Sequence, residues 1–442
     1  MNQYTNFFTS YRAEIDANCN RMLNNCRDKA FETFRALGFP KYKTENYQHV
    51  NIEKLLDTDF GFYLQPSDAG FNPRHVFHCD VPNLDSYKCF AVNGHFFKDN
   101  TETQLAGNVF SGDMNEFATL YPDVFSKYYN RLAAEKGDGL TAFNTAFAQG
   151  GYMLYVPENT ILEKAVQLTN IAGGNAVSLV NRRMLVVLER GAQAKLLVCD
   201  HAYDEKPVSA ATQVTEIFAR EGAKFDFCEL EESSRNTIRL AENFVHQAAC
   251  SELRINNITL SNGTTRNNTS VDLTGEHATV NLCGMAIADE RQTVDNHTLI
   301  NHSVPSCRSD ELFKYVLDDE ATGVFSGRII VEKGAQRTEA FQSNRNLLGS
   351  RRCRMYSKPQ LEIYADDVKC SHGMTTGQLD ENALFYMRSR GIPHDEVVLM
   401  LKAVFMSDVI RGVRMEGLRD RLKMLVEKRF RGELATCRGC CR

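Results

Sequence analysis

Between residues 150 and 370 a glycine-bearing turn returns again and again among short aliphatic runs, and few folds accommodate that rhythm. Arg190-Gly191-Ala192-Gln193 is echoed by Glu221-Gly222-Ala223-Lys224, Thr274-Gly275-Glu276-His277 and Lys333-Gly334-Ala335-Gln336. Gly191 and Gly222 lie 31 residues apart, and the next intervals of 53 and 59 are each close to two steps. Between the turns stand Met184 to Leu188, Lys195 to Val198, Val214 to Phe218, Phe225 to Leu230, Ile255 to Leu260, Val280 to Leu282, Leu299 to Asn301 and Gly327 to Val331. These runs have the length and β-branched content of strands. A period of about 26–31 residues fits one rung of a β-solenoid, with glycine at the tight corner. A β-sandwich with glycine turns is the competing reading.

The flanks have a different period. Ile15, Cys19, Met22, Cys26, Ala30, Phe34 and Leu37 recur at spacings of three and four and predict one helix, stopped by Gly38 and Pro40. Residues 40–135 mix strand-like pieces, such as Tyr87 to Val92, with a helical stretch around Asn115 to Glu135. Near the other end, Pro393 followed by Asp395 and Glu396 opens a helix whose stripe is Val397, Leu401, Val404, Phe405 and Val409. Part of that stripe is expected to close the end of the solenoid. A second helix runs from about Glu416 to Arg429. The expected organisation is mainly β: a largely helical N-terminal region at 1–140, a parallel β-helix core at 141–375 and a C-terminal helical region at 376–442.

Composition excludes several functions. With 43% hydrophobic and 24% charged residues the chain is globular, and a net charge of −5 lacks the basic footprint of a nucleic-acid binder. The cluster Arg351, Arg352 and Arg354 reads as a solvated or partner-facing patch. No secretory signal is visible and no apolar run approaches a membrane helix. The 14 cysteines are dispersed, so reduced thiols and a cytoplasmic location are expected. The sequons at Asn267 and Asn268 then read as polar turns or strand edges. There is no phosphate loop, so no ATP site is expected, and no dinucleotide fingerprint, nucleophile elbow or zinc helix.

The chemistry-bearing stretch is Val368-Lys369-Cys370-Ser371-His372-Gly373, followed by Thr376-Gly377-Gln378-Leu379-Asp380. On a strand, Cys370 and His372 share a face, and thiolate and imidazole both bind iron. A buried thiol beside a hydrogen-bonded histidine is the structural alternative. Cys437, Cys440 and Cys441 in the tail have metal-ligand spacing without a visible fourth ligand; a redox-reactive group and a terminus with no role are the other readings. Cys19, Cys26, Cys199, Cys228, Cys250 and Cys283 are expected in the interior.

Residues 366–392, including Ala383-Leu384-Phe385-Tyr386-Met387-Arg388, closely resemble the C-terminal signature of the SufD family. The resemblance extends to Asn144-Thr145-Ala146-Phe147 with Gly151, to Tyr155-Val156-Pro157 and to Glu45-Asn46-Tyr47. The Ser371-His372-Gly373 form with Gly377 is similar to SufD, whereas SufB carries a His-Glu-Ala type segment there. Met374-Thr375 departs from the usual small residue followed by threonine, and the cysteine tail is not a family feature. The resemblance implies a right-handed parallel β-helix and a non-catalytic scaffold of the SUF iron–sulfur cluster assembly system. It implies a SufB-type paralogue and the ABC ATPase SufC as partners, the latter docking on residues 393–413; whether the chain forms a homodimer when alone is left open. It maps the family's histidine and cysteine onto His372 and Cys370, as candidate ligands for iron or a transient cluster at the partner interface, and leaves flavin binding open. A SufB-type main scaffold and a β-solenoid carbohydrate enzyme are the alternatives.

Overall fold

The computed structural model describes residues 1–65, 72–76, 84–98, 103–174, 176–203 and 208–433. Successive strands of the core alternate between two sheets, and each pairs in parallel with the strand one rung earlier. Among the described residues one sheet, here sheet A, has 11 strands and ends on Arg354–Ile363; the other, sheet B, has 10 and ends on Val368–Gly377. The result is a β-solenoid of about 7 turns with helices toward both termini. An antiparallel sandwich is thereby excluded. Sheet B reaches back to Ser86–Val92, which pairs in parallel with Ala165–Ala172.

Each rung turns a corner in the left-handed backbone region, and those corners form a column: Gly191, Gly222, Cys250, His277, Ser306 and Arg337, with φ between 57° and 68°. The steps are 31, 28, 27, 29 and 31 residues. The repeat was therefore visible at Gly191 and Gly222, but Gly275 and Gly334 are not the corner residues. A Cβ at Gly275 would lie 1.9 Å from the Ala249 nitrogen, so that glycine serves close approach of neighbouring rungs. Cys250, expected inside, is exposed on the corner.

The space between the sheets has two halves. One is aliphatic, with Val186, Ile217, Val245, Val271 and Ile300 of sheet A facing Val198, Phe225, Ile255 and Leu282 of sheet B. The other is polar. Arg239 donates to Asp200 at 2.7 Å and to Glu229 at 2.7 Å, Asn267 donates to Asn296 at 2.9 Å, and Asn296 to the Tyr315 hydroxyl at 2.6 Å. Asn267 is 3% exposed and lies in this interior, not at the turn or edge that its sequon suggested. Buried polar groups of this kind stay only because they are paired.

The N-terminal helices cover the outer face of sheet A. Tyr4, Phe8, Phe34, Phe39, Phe143 and Phe147 form an aromatic cluster against Leu179, Ala210 and Leu240. The single helix expected from Ile15 to Leu37 is two, Arg12–Ala17 and Arg21–Leu37. The Asn20 side chain accepts from the Met22 amide and caps the second. Asn144 is fully buried, and its Nδ2 donates to the Arg182 carbonyl at 3.0 Å and the Thr212 hydroxyl at 2.9 Å, which seats the helix Gly139–Phe147 on the sheet.

The C-terminal helices His394–Gly412 and Glu416–Phe430 do not close the solenoid end. They lie along the outer face of sheet B, where Met406, Val409, Ile410, Leu418 and Leu422 meet Leu197, Cys228, Ile258, Met285 and Val316. Lys314 donates to the Phe405 carbonyl at 2.8 Å and pairs with Asp408, and Arg429 grips Asp289 at 2.6 and 2.8 Å. Of the expected stripe, Val397 and Val409 are fully buried and Val404 is 67% exposed. No helix of the described residues is long and apolar enough to cross a membrane.

Candidate functional site at the open end of the solenoid

The last strand of sheet B, Val368–Gly377, pairs on one side with Thr338–Leu348 and has no strand on its other side among the described residues. The last strand of sheet A, Arg354–Ile363, is likewise paired on one side only. The interior of the solenoid therefore opens here. Cys370 is half-buried against the aliphatic core, which fixes its face as inward. His372, two residues on, shares that face and is exposed at the mouth. Burial raises the Cys370 thiol pKa, opposed by a hydrogen bond from the Ala340 backbone. A Cβ added at Gly373 or Gly377 would meet nothing within 4 Å, so the strand's surroundings are open.

Below the mouth lies a polar floor. In register with Cys370, His372, Met374 and Thr376 are Ala340, Gln342, Asn344 and Asn346. Gln342 Nε2 donates to Glu311 at 2.6 Å, Asn344 accepts from the Ser357 hydroxyl at 2.7 Å, and Asn346 donates to the Thr376 hydroxyl at 3.1 Å. The Glu311 carboxyl is enclosed, and burial pushes its pKa up to about 7 against the hydrogen bonds from Thr298 and Gln342. One oxygen each of Gln342 and Asn346 is buried with no partner among the described residues. Sequence reasoning missed this floor. Its only trace is the polar alternation Gln342, Asn344, Asn346, which reads equally as a solvent face.

The structure brings Cys370 and His372 to one face and gathers none of the other candidates with them. Among the described residues no group of three or more His, Cys, Asp or Glu side chains is placed to hold a metal ion. Cys199, Cys228 and Cys283 lie beneath the C-terminal helices, and the ten described cysteines are all free thiols. Cys437, Cys440 and Cys441 lie outside the described residues. Arg352 pairs with Glu320 on the surface. The Glu45–Tyr47 segment reaches the open end: Glu45 pairs with Lys358 at 3.1 Å, and the neighbouring His49 stacks on Tyr356 with ring centres 3.9 Å apart. Tyr47 is held under the Arg266 guanidinium, 4.1 Å from its ring centre, and donates to Asp138.

Fold and site define a class, that of helix-flanked β-solenoids with an open, polar end carrying a thiol and an imidazole. Comparison with known proteins narrows it. Residues 170–405 match the model of the SUF system FeS cluster assembly SufBD core domain, and residues 1–168 match that of the SufBD protein N-terminal region. The chain belongs to the SufBD family of iron–sulfur cluster assembly proteins. It is 28% identical to the iron–sulfur cluster assembly protein SufD of Escherichia coli, over 89% of this chain and 90% of that protein. It is 26% identical to a SufBD family protein of Synechocystis, over 95% and 93%, and 28% identical to the chloroplastic protein ABCI7 of Arabidopsis thaliana, over 91% and 85%.

Proposed function

We propose that this chain is the SufD-type scaffold subunit of a SUF assembly complex, without catalytic chemistry of its own. The observation that carries the reading is the open solenoid end, where two iron-binding side chain types project from one face of a terminal strand. Two donors are too few for an iron centre of ordinary coordination, so a partner chain supplies the rest. A SufB-type paralogue meets this end, and iron or a nascent cluster is the cargo held between the two chains. His372 is the principal ligand: its neutral imidazole coordinates iron or hydrogen-bonds a cluster sulfide. Cys370 is secondary, because its half-buried thiol is less readily ionised.

The free edges of the two last strands also suit a second copy of the chain when the paralogue is absent. A SufC-type ATPase docks on the outward face of the C-terminal helices, where Val404 is exposed. The work is cytoplasmic, where thiols stay reduced. The deciding experiment is reconstitution with both partners. His372→Ala removes an exposed side chain and is expected to leave folding and complex formation intact while cluster assembly is greatly reduced. Assembly at the normal rate would make His372 a bystander and sink the site.

A further inference from the structure

We propose that Gln342 is a positioning residue for His372, its side-chain carbonyl accepting one imidazole N–H so that the other ring nitrogen faces the cargo. The inference rests on the reading of His372 given above and adds the group that orients it. Gln342 is the register partner of His372 on the adjacent parallel strand, and neighbouring strands lie about 4.8 Å apart. Both side chains belong to the inward-facing row, and Gln342 is 3% exposed.

Its amide has a defined orientation. Nε2 donates to Glu311 at 2.6 Å; above a pH of about 7, where the Glu311 carboxyl is ionised, it accepts but cannot donate, and the nitrogen end is the one turned to it. Oε1 is left buried with no partner among the described residues; the exposed His372 ring does not reach it here, and the contact forms when the imidazole turns inward over the floor. Across the interior stands Gly327: a Cβ there would lie 2.3 Å from Gln342 Nε2 and 2.9 Å from its Cδ. Glycine at 327 thus leaves the volume that the amide occupies. A buried carbonyl without a donor is costly, and the imidazole one rung above is the donor the register offers. Metal-binding histidines are commonly fixed in this way, the distal N–H given to a carbonyl that sets tautomer and ring orientation.

The test is nitrogen-15 NMR on the full chain with labelled histidine, in mildly alkaline buffer where imidazole is neutral. His372→Ala identifies the resonances of His372 by their loss. The wild type is expected to show one dominant His372 tautomer, and Gln342→Leu, similar in volume but without the acceptor, a shift toward the mixture of a free imidazole. Should Gln342→Leu fail to fold, Gly327→Ala displaces the amide by its added methyl and reads the same contact. An unchanged tautomer in the folded variant overturns the proposal. In the reconstituted complex, Gln342→Leu is expected to weaken ferrous iron binding about 10-fold. A tautomer shift with normal assembly by His372→Ala would uphold the contact and overturn only the function assigned to His372.

Discussion

Several side chains that hold this molecule together do so through buried charge. Glu216 is fully buried, pairs with Arg183 at 2.6 Å and accepts from the amides of Asn130, Leu132 and Ala133 at 2.8, 2.8 and 3.1 Å. It thereby caps the short helix Arg131–Lys136 and ties it to sheet A. Glu216→Ala leaves the Arg183 guanidinium buried and uncompensated. Urea denaturation is expected to show a loss of about 3–5 kcal/mol. Glu242 behaves oppositely: burial first, and then the charge of Asp138, push its carboxyl pKa up to about 8. An acid with a raised folded pKa binds its proton more tightly in the native state. Its contribution to stability therefore falls as pH rises from the ordinary carboxyl range to about 8, and is level beyond. Glu242→Gln is expected to gain stability relative to wild type at pH 8 and little at pH 5, read by thermal unfolding at both. None of these partnerships was legible in the sequence, because Glu216 and Glu242 sit in alternating strand patterns that look the same whether the polar face meets water or another chain segment.

The rung is the structural element, and its corner is where sequence speaks most directly. At Gly222 a Cβ would find its nearest neighbours at 3.9 Å, so only the left-handed backbone opposes a side chain. Gly222→Ala is expected to cost about 1–2 kcal/mol. Gly151, part of the segment that resembles SufD, is different: a Cβ would lie 2.1 Å from the Arg183 carbonyl oxygen at a φ of 156°. Gly151→Ala is expected to be several times more damaging in the same denaturation experiment. The polar run Thr264–Leu273 was missed as a strand because its inward residues include Thr265, Asn267 and Thr269, which pair inside the solenoid. Strand propensity and alternation detect apolar rungs, and a rung with a polar interior gives neither signal.

For the whole molecule, the decisive feature is which surfaces the helices leave free. The C-terminal pair covers the outer face of sheet B, so deleting it would uncover Leu197, Cys228, Met285 and Val316 and damage the fold along with any docking. A surface change tests docking cleanly. Val404→Glu is expected to leave the melting temperature unchanged and to reduce co-purification with the ATPase subunit; normal recovery of the ATPase would exclude this face. Because the helices lie on the side, the end strands Arg354–Ile363 and Val368–Gly377 remain available to a partner. The amphipathic stripe showed that a helix buries one face, but not whether that face meets the side or the end of the solenoid. Periodicity carries no information about the surface that completes it.

By itself the sequence pointed to the solenoid over the sandwich, since the corner interval recurs wherever a rung must turn in the left-handed region and glycine marks two of those corners; the parallel strand pairing then excluded the sandwich. It also set Cys370 and His372 on one face, because the two-residue period of a strand is a local property. The tertiary structure alone decided that this face looks into an open end, that Gln342 and Glu311 lie beneath it, and that half of the interior is polar. Those facts depend on residues about 30 positions apart being stacked at strand spacing, and register between distant rungs is fixed by the packing of the whole solenoid, not by any segment read alone.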